Sequence, residues 1–201
     1  MIREIRPALS LVILFTLALG VAFPAALTGF AQLAFPYQAN GSLIRAQGRI
    51  VGSALIGQRF TGPIWFHGRP SALVGTDAKG NTIPTPYDAS ESGASNLAPT
   101  SKALLAHVSA RIAAYRRAYG PGPVPDDAVT SSGSGLDPDI SLANALRQSP
   151  AVAAARHLPA ARVMALARKL AARRFLGFIG TDHVNVLALN LALARMNHRR
   201  K

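Results

Sequence analysis

Residues 8–35 read ALSLVILFTLALGVAFPAALTGFAQLAF, and the surrounding run from Pro7 to Ile44 carries no charged side chain. A helix crossing the hydrocarbon core of a bilayer needs about 20 predominantly apolar residues. The stretch therefore predicts one transmembrane helix. Pro24 and Gly29 lie inside it. Both are tolerated in membrane helices, and Pro24 either kinks this one or ends its regular part. Arg3 and Arg6 precede the run, opposed only by Glu4, and flanking positive charge stays cytoplasmic. The expected topology is residues 1–7 inside, 8–35 spanning, and 36–201 as one extracytoplasmic domain. A cleaved signal peptide with a small-x-small site at Gly29-Phe30-Ala31 is the competing reading. The apolar run is about twice an ordinary signal core and continues past that site, which favours a retained anchor.

The chain has 201 residues, and its mean hydropathy of +0.21 comes largely from the anchor. What remains fits a single domain with a sizeable core. Lys and Arg number 22 against 9 Asp and Glu, a net charge of +13. Such a balance points to nucleic acid, anionic lipid or an acidic protein, or to nothing more than a solvated basic face. The cations are spread over several helical faces without an RNP, zinc-finger or helix-turn-helix pattern. An outer domain would not meet nucleic acid, so that partner is set aside. With no cysteine, disulfides, thiolate metal sites, cysteine nucleophiles and iron–sulfur clusters are excluded.

Beyond the anchor, residues 38–42 (QANGS) form a turn-rich hinge. Residues 50–57 (IVGSALIG) predict one or two short strands and 64–66 (IWF) another. Residues 71–99 are loop-rich and too long for an ordinary connection; such a segment is functional, shaped by a partner, or disordered. Leu104, Val108, Ile112, Tyr115 and Tyr119 recur at helical spacing and predict a helix over 100–119, started near Asn96 and Pro99 and stopped by Gly120-Pro121. A rigid linker (121–125) and a loop (129–141) follow. Two or three shorter helices are expected, at about 141–149, 150–157 and 159–174, with Pro150 and Pro159 in first turns. A strand over 183–191 and a basic tail complete the chain. Strands at both ends with helices between imply a small α/β domain.

The chain lacks a Walker A sequence, a G-x-G-x-x-G after a strand, an H-E-x-x-H and the aspartyl-phosphate motif of a P-type pump. It cannot itself hydrolyse ATP by the P-type route. His67, His107, His157, His183 and His198 are scattered, with no metal-ligand spacing. Ser132, Ser134, Asp137, Asp139 and His183 can be drawn as a hydrolase triad, but G-x-S-x-G fits neither serine. Asp137-Pro138-Asp139 lacks EF-hand spacing and reads as a cap on the helix from 141. The most specific local feature is Ser132-Gly133-Ser134-Gly135, where successive backbone N–H groups can face an anion or phosphate, or form a plain turn.

Several motifs occur in order: GSALIGQRF (52–60), FHGRPSA (66–72), SGASNLAPTSKAL (92–104), VTSSGSGLDPDIS (129–141), QSPAVAAAR (148–156) and VNVLALNLAL (184–193). Behind a single N-terminal membrane helix, this combination resembles the C subunits of the bacterial Kdp high-affinity potassium-transporting ATPase. The likeness covers essentially the whole chain. One departure is Ala94, where the family more often has a second glycine. The resemblance implies a non-catalytic, single-pass subunit of the inner membrane with a periplasmic domain. Its partners would be a potassium-selective A subunit, an ATP-hydrolysing B subunit and a small F subunit. It further implies an assembly factor and catalytic chaperone that raises the ATP affinity of the B subunit. ATP and potassium would be handled by the complex, with no cofactor bound by the chain's own motifs. Family proposals of nucleotide contact place Gln148 at that contact, beside the Ser132–Gly135 run. An outer domain and a cytoplasmic nucleotide conflict, so the effect on ATP is expected to be indirect. Two other classes compete: a membrane-anchored envelope hydrolase using Ser134 and His183, and a basic module docking to anionic lipid head groups.

Overall fold

In the computed structural model, which describes residues 2–198, the apolar N-terminal stretch is one continuous helix from Arg3 to Ala34. At 1.5 Å per residue it is about 48 Å long, against a hydrocarbon core of about 30 Å. None of its most apolar window is buried by the rest of the protein. The helix is built from α1 (Ile2–Leu17), a π-helical turn (Ala18–Ala22) and α2 (Phe23–Ala34). Pro24 explains the π turn: it offers no N–H, and in a regular helix its ring would strike the carbonyl of Gly20. Widening that turn, with the Phe23 N–H bonded to the Ala18 carbonyl, lets the helix continue.

The chain divides into two compact units between Ser53 and Ala54. The first holds the membrane helix, a short α3 (Pro36–Ala39) and a hairpin of β1 (Leu43–Ala46) and β2 (Arg49–Ser53). Its two-residue turn, Gln47-Gly48, has φ of +50° and +77°, the sign pattern of the type I′ turn that matches strand twist. Part of the strand expected over 50–57 is therefore β2, while residues 54–57 are irregular.

The second unit contains a hairpin of β3 (Val74–Thr76) and β4 (Thr82–Pro84), then α4 (Lys102–Tyr119) and a 3₁₀ turn at Asp126–Ala128. The strand β5 (Asp139–Ser141), α5 (Leu142–Ala155), α6 (Ala160–Leu170), β6 (His183–Asn185) and α7 (Val186–His198) complete it. All sheets are two-stranded and antiparallel, pairing β1 with β2, β3 with β4 and β5 with β6. The class is mixed α/β, with helices dominant. The core lies among α5, α6, α7 and the β5–β6 pair, where Ile140, Val152, Val163, Val184, Leu189 and Leu193 are buried around Phe66.

Four expectations are corrected. The helices at 141–149 and 150–157 are one, with Pro150 exposed inside α5. Burial of Ala145, Val152 and Ala153 along one face outweighs the proline's cost. The strand over 183–191 ends at Asn185. The rest is α7, because Val186, Leu189, Asn190 and Leu193 are buried at helical spacing and the Asn185 side chain caps the helix at the Ala188 N–H (3.0 Å). Helix 159–174 stops at Leu170, and Ala172 then bridges to His183. Residues 64–66 are not a strand. The helix caps also differ: Ser101 caps α4, and Ser141, not Asp137 or Asp139, caps α5. The long 71–99 segment contains the β3–β4 hairpin, whose turn is closed by Asp77 accepting from the Lys79 and Asn81 N–H groups (2.8 and 2.9 Å).

Candidate functional site

The motif-bearing loops of the second unit converge on the Ser132–Gly135 run. Ser132 is buried, and its Oγ accepts the Gly135 N–H at 2.9 Å; the Ser134 Oγ accepts the Leu136 N–H at 3.1 Å. Each hydroxyl thus closes its own turn. Gly135 has φ +71°, and a Cβ there would sit 2.6 Å from Leu73 Cγ, so both conformation and space demand glycine. Gly133 is exposed, with nothing near the position of a Cβ. The Ser134 carbonyl accepts from Gly93 N–H (2.9 Å) and the Leu136 carbonyl from Gly57 N–H (2.7 Å). Three separate motifs are stitched together by main chain.

A second knot surrounds Tyr87. Its hydroxyl donates to the Arg69 carbonyl (2.7 Å), and the Arg69 guanidinium pairs with Asp137 at 2.9 Å. A Cβ on Gly57 would lie 2.5 Å from the Tyr87 ring, and one on Gly68 would lie 2.2 Å from its oxygen. Burial, aided by the negative charge of Asp137, pushes the Tyr87 phenol up to about 12. It stays protonated and remains a donor.

Between the knots and the core runs the segment Phe66-His67, held by two side-chain amides. The Asn190 Oδ1 accepts from the Phe66 N–H and its Nδ2 donates to the Phe66 carbonyl, both at 2.9 Å. Gln148 repeats the pattern one residue on: its Oε1 accepts from the His67 N–H (2.8 Å) and its Nε2 donates to the His67 carbonyl (3.1 Å). Two helices thereby supply the main-chain partners that a neighbouring strand would have given. This is why the predicted strand at 64–66 has no ladder. The Gln148 Nε2 also donates to Asn144 Oδ1 (2.9 Å), which accepts from the Tyr115 hydroxyl (2.8 Å). Asn144 in turn donates to Asp127 (2.9 Å), whose carboxylate also takes the Ser141 N–H and hydroxyl. The His67 Nδ1 lies 2.7 Å from the Tyr119 hydroxyl. Burial holds the His67 ring below its ordinary value and pushes Tyr119 up to about 12, so a neutral imidazole and a protonated phenol share this hydrogen bond.

Gln148 is 2% exposed, and its amide is committed to main chain and Asn144. Ser132 and Ser134 bond to their own loop, and no described contact joins either to His183. The His183 ring faces the Thr181 carbonyl (3.0 Å) and Asp139 (3.9 Å). Burial raises Asp139 above the ordinary carboxylate range, while the His183 charge opposes that rise. Among the described residues no three His, Asp or Glu gather as a metal site would require. Asn190, Asn144 and Asp127 went unread in the sequence. The available signal was Asn190, a lone amide within the apolar run VLALNLALA, which when buried must find partners.

The features define a class: a protein with one N-terminal helix long and apolar enough to cross a membrane, followed by a unit whose motif residues brace a loop framework. Its family follows from comparison. The family model described as "K+-transporting ATPase, c chain" (KdpC) matches residues 5–195. The potassium-transporting ATPase KdpC subunit of Methylobacterium nodulans is 52% identical over 196 residues, covering 96% of this chain and 97% of that protein. The KdpC subunit of Methylorubrum extorquens is 50% identical over 202 residues (99% and 100%). That of Caulobacter vibrioides is 54% identical over 195 residues (96% and 93%). The chain belongs to the KdpC family.

Proposed function

We propose that this chain is a non-catalytic subunit of an ATP-driven potassium uptake complex in the bacterial inner membrane. Its partners are the potassium-selective A subunit, the ATP-hydrolysing B subunit and the small F subunit. The observation that carries the reading is the near-full-length identity to KdpC subunits of potassium-transporting ATPases. The N-terminus is cytoplasmic and residues 36–201 are periplasmic, a topology supported by Arg3 and Arg6 before the apolar helix. The chain supports assembly and raises the ATP affinity of the B subunit indirectly. Its own residues bind no cofactor, and ATP and potassium are handled by its partners.

Gln148 takes part as a positioning residue. Its amide holds the His67 peptide, so substitutions there reach the nucleotide site through the shape of the loop framework. Asn190 holds the adjoining peptide in the same way and serves as the control. The test is the ATP dependence of the pump reconstituted with and without this chain, and with Gln148→Ala or Asn190→Ala. Without the chain, the KM for ATP rises, and both variants raise it in parallel. An A–B complex that assembles and pumps normally without the chain would sink the subunit reading. A KM shift with Gln148→Ala alone would instead mean direct nucleotide contact. Labelling of a single introduced cysteine by an impermeant reagent from the cytoplasmic side would overturn the topology.

A further inference from the structure

We propose that the surface formed by α6, α7 and the loop 173–179 is a binding site for anionic phospholipid in the bilayer. Two independent features carry this. The first is a groove of about 370 Å³ between α6 and α7. Leu166, Leu170 and Met196 supply apolar lining, and Arg162, Lys169 and Arg195 supply cationic lining. Among the described residues no carboxylate lines the groove and none of these three cations enters an ion pair. Cations and apolar side chains lining one groove match a phosphate head group joined to the start of an acyl chain.

The second feature is the tip that the chain forms after leaving Lys169 and Leu170. The backbones of Phe175 and Ile179 pair by two hydrogen bonds of 2.9 Å, closing a tight hairpin. Phe175, Leu176 and Phe178 stand 68%, 69% and 74% exposed, and Ile179 is 49% exposed. The Arg174 N–H is held by Asp182 (3.0 Å), so the display is built rather than frayed. The Arg174 guanidinium also pairs with Asp182 at 3.6 Å. Among the described residues this leaves Arg173 as the cation without an ion pair beside four large apolar side chains, a wedge with a basic edge of the kind that enters the head-group boundary of a charged bilayer.

Charge selects lipid over a protein partner as the occupant. Residues 142–201 carry eleven Lys and Arg and one carboxylate side chain, Asp182. The covalent membrane helix keeps a bilayer within reach at all times. Anionic lipid occurs in both leaflets, so the inference does not depend on which side the folded unit occupies, and it stands apart from the pump reading.

The full chain lacks cysteine, so Leu176→Cys carries a single nitroxide. That chain is reconstituted into vesicles of phosphatidylcholine alone and of phosphatidylcholine with phosphatidylglycerol in equal parts, and collisions with oxygen and a nickel chelate report depth. The expected result is a tip shielded from nickel and open to oxygen only in the phosphatidylglycerol vesicles, with the shielding reduced by salt. Arg162→Gln, Lys169→Gln and Arg195→Gln together lower the ratio of inserted to exposed tip on the order of a hundredfold. The salt titration on the chain without these three changes tests the same point, should the triple variant fold poorly. A tip open to nickel in both vesicles overturns the proposal. So does shielding that is equal in neutral vesicles, or that requires added partner subunits.

Discussion

Replacing Gln148 by alanine removes three hydrogen bonds from a site that is 2% exposed. Two of them satisfy the N–H and carbonyl of His67, and leaving such partly buried groups without partners costs about 1–3 kcal/mol each. The third ends on Asn144 Oδ1, which keeps the Tyr115 hydroxyl (2.8 Å), so its loss costs about 0.5–1 kcal/mol. The void adds about 1 kcal/mol, and water entering a polar cavity returns part of the total. The expected net loss is about 3–5 kcal/mol. For a unit of this size that lowers Tm by about 8–15 °C.

The assay is urea unfolding of the full chain in mild detergent, followed by tryptophan fluorescence. The single tryptophan, Trp65, directly precedes the clamped peptide. It also lies under the Arg156 guanidinium (4.4 Å) and beside Phe60 (5.9 Å), so its emission reports release of this segment. Gln148→Glu keeps the shape but turns a donor into an acceptor facing two acceptor oxygens. It is as unstable as the alanine variant at neutral pH and recovers as the pH falls, because the protonated acid donates again. Since Gln148 and Asn190 hold adjoining peptides, the double alanine variant costs at least about 1 kcal/mol less than the sum of the singles. A loss below about 1 kcal/mol for Gln148→Ala, or strict additivity with Asn190→Ala, would refute the shared clamp.

Other outcomes follow from neighbouring geometry. Gly68→Ala places a Cβ 2.2 Å from the Tyr87 oxygen and costs about 2–3 kcal/mol; Tyr87→Phe, costing about 1 kcal/mol alone, relieves part of that loss in the double variant, as a thermal-melt cycle would show. The His67 ring has a lowered pKa because of burial, so the unfolded chain binds its proton more readily. Its contribution is complete above the unfolded value of about 6.5 and is lost as the pH falls from there toward the folded value. Urea midpoints measured as the pH is lowered from above about 6.5 are expected to show this acid-side loss, and His67→Gln to reduce it. Pro24→Ala restores a bonding N–H in the membrane helix, and backbone chemical shifts of residues 18–22 should move from π-helical toward regular α-helical values; an unchanged pattern would remove proline as the cause of the wide turn.

The elements legible in the sequence were those fixed by local periodicity. The charge-free run gave the long N-terminal helix, and the stripe from Leu104 to Tyr119 gave α4, although only Tyr115 on it is fully buried. Misreadings occurred where distant residues decide the conformation. Ile64-Trp65-Phe66 has strand-like residues, yet the main-chain partners of Phe66 and of the following His67 are amides 124 and 81 positions away, and no local pattern reveals them. The run 184–193 is apolar at both strand and helix periods, so the packing of α7 on the core arbitrates. Pro150 punctuates a local reading, whereas burial along α5 overrides it. The β1–β2 hairpin escaped notice because Gln-Gly is a weaker turn signal than Asn-Gly or Asp-Gly. At the candidate site, the SGSG run and Gln148 stand out by residue type. Their partners do not: whether a glycine-serine turn faces a ligand or its own loop depends on contacts such as Gly93 to Ser134.

That inward commitment bears on how an accessory subunit influences chemistry elsewhere. The hydroxyls of Ser132 and Ser134 close turns, Gln148 and Asn190 hold the Phe66-His67 segment, and Tyr87 fills space reserved by Gly57 and Gly68. Each arrangement turns side-chain polar groups inward, onto the protein's own main chain. Loops are ordinarily the mobile part of a domain, and here side-chain amides and main-chain stitches fix them to α5 and α7. Such a framework can present a surface of fixed shape to a partner without binding the partner's substrate. A substitution inside it changes that surface at a distance, so loss of activity at Gln148 or in the SGSG run does not by itself identify a nucleotide contact. Asn190 separates the two cases: it performs the same main-chain task beside Gln148 from a different helix and motif.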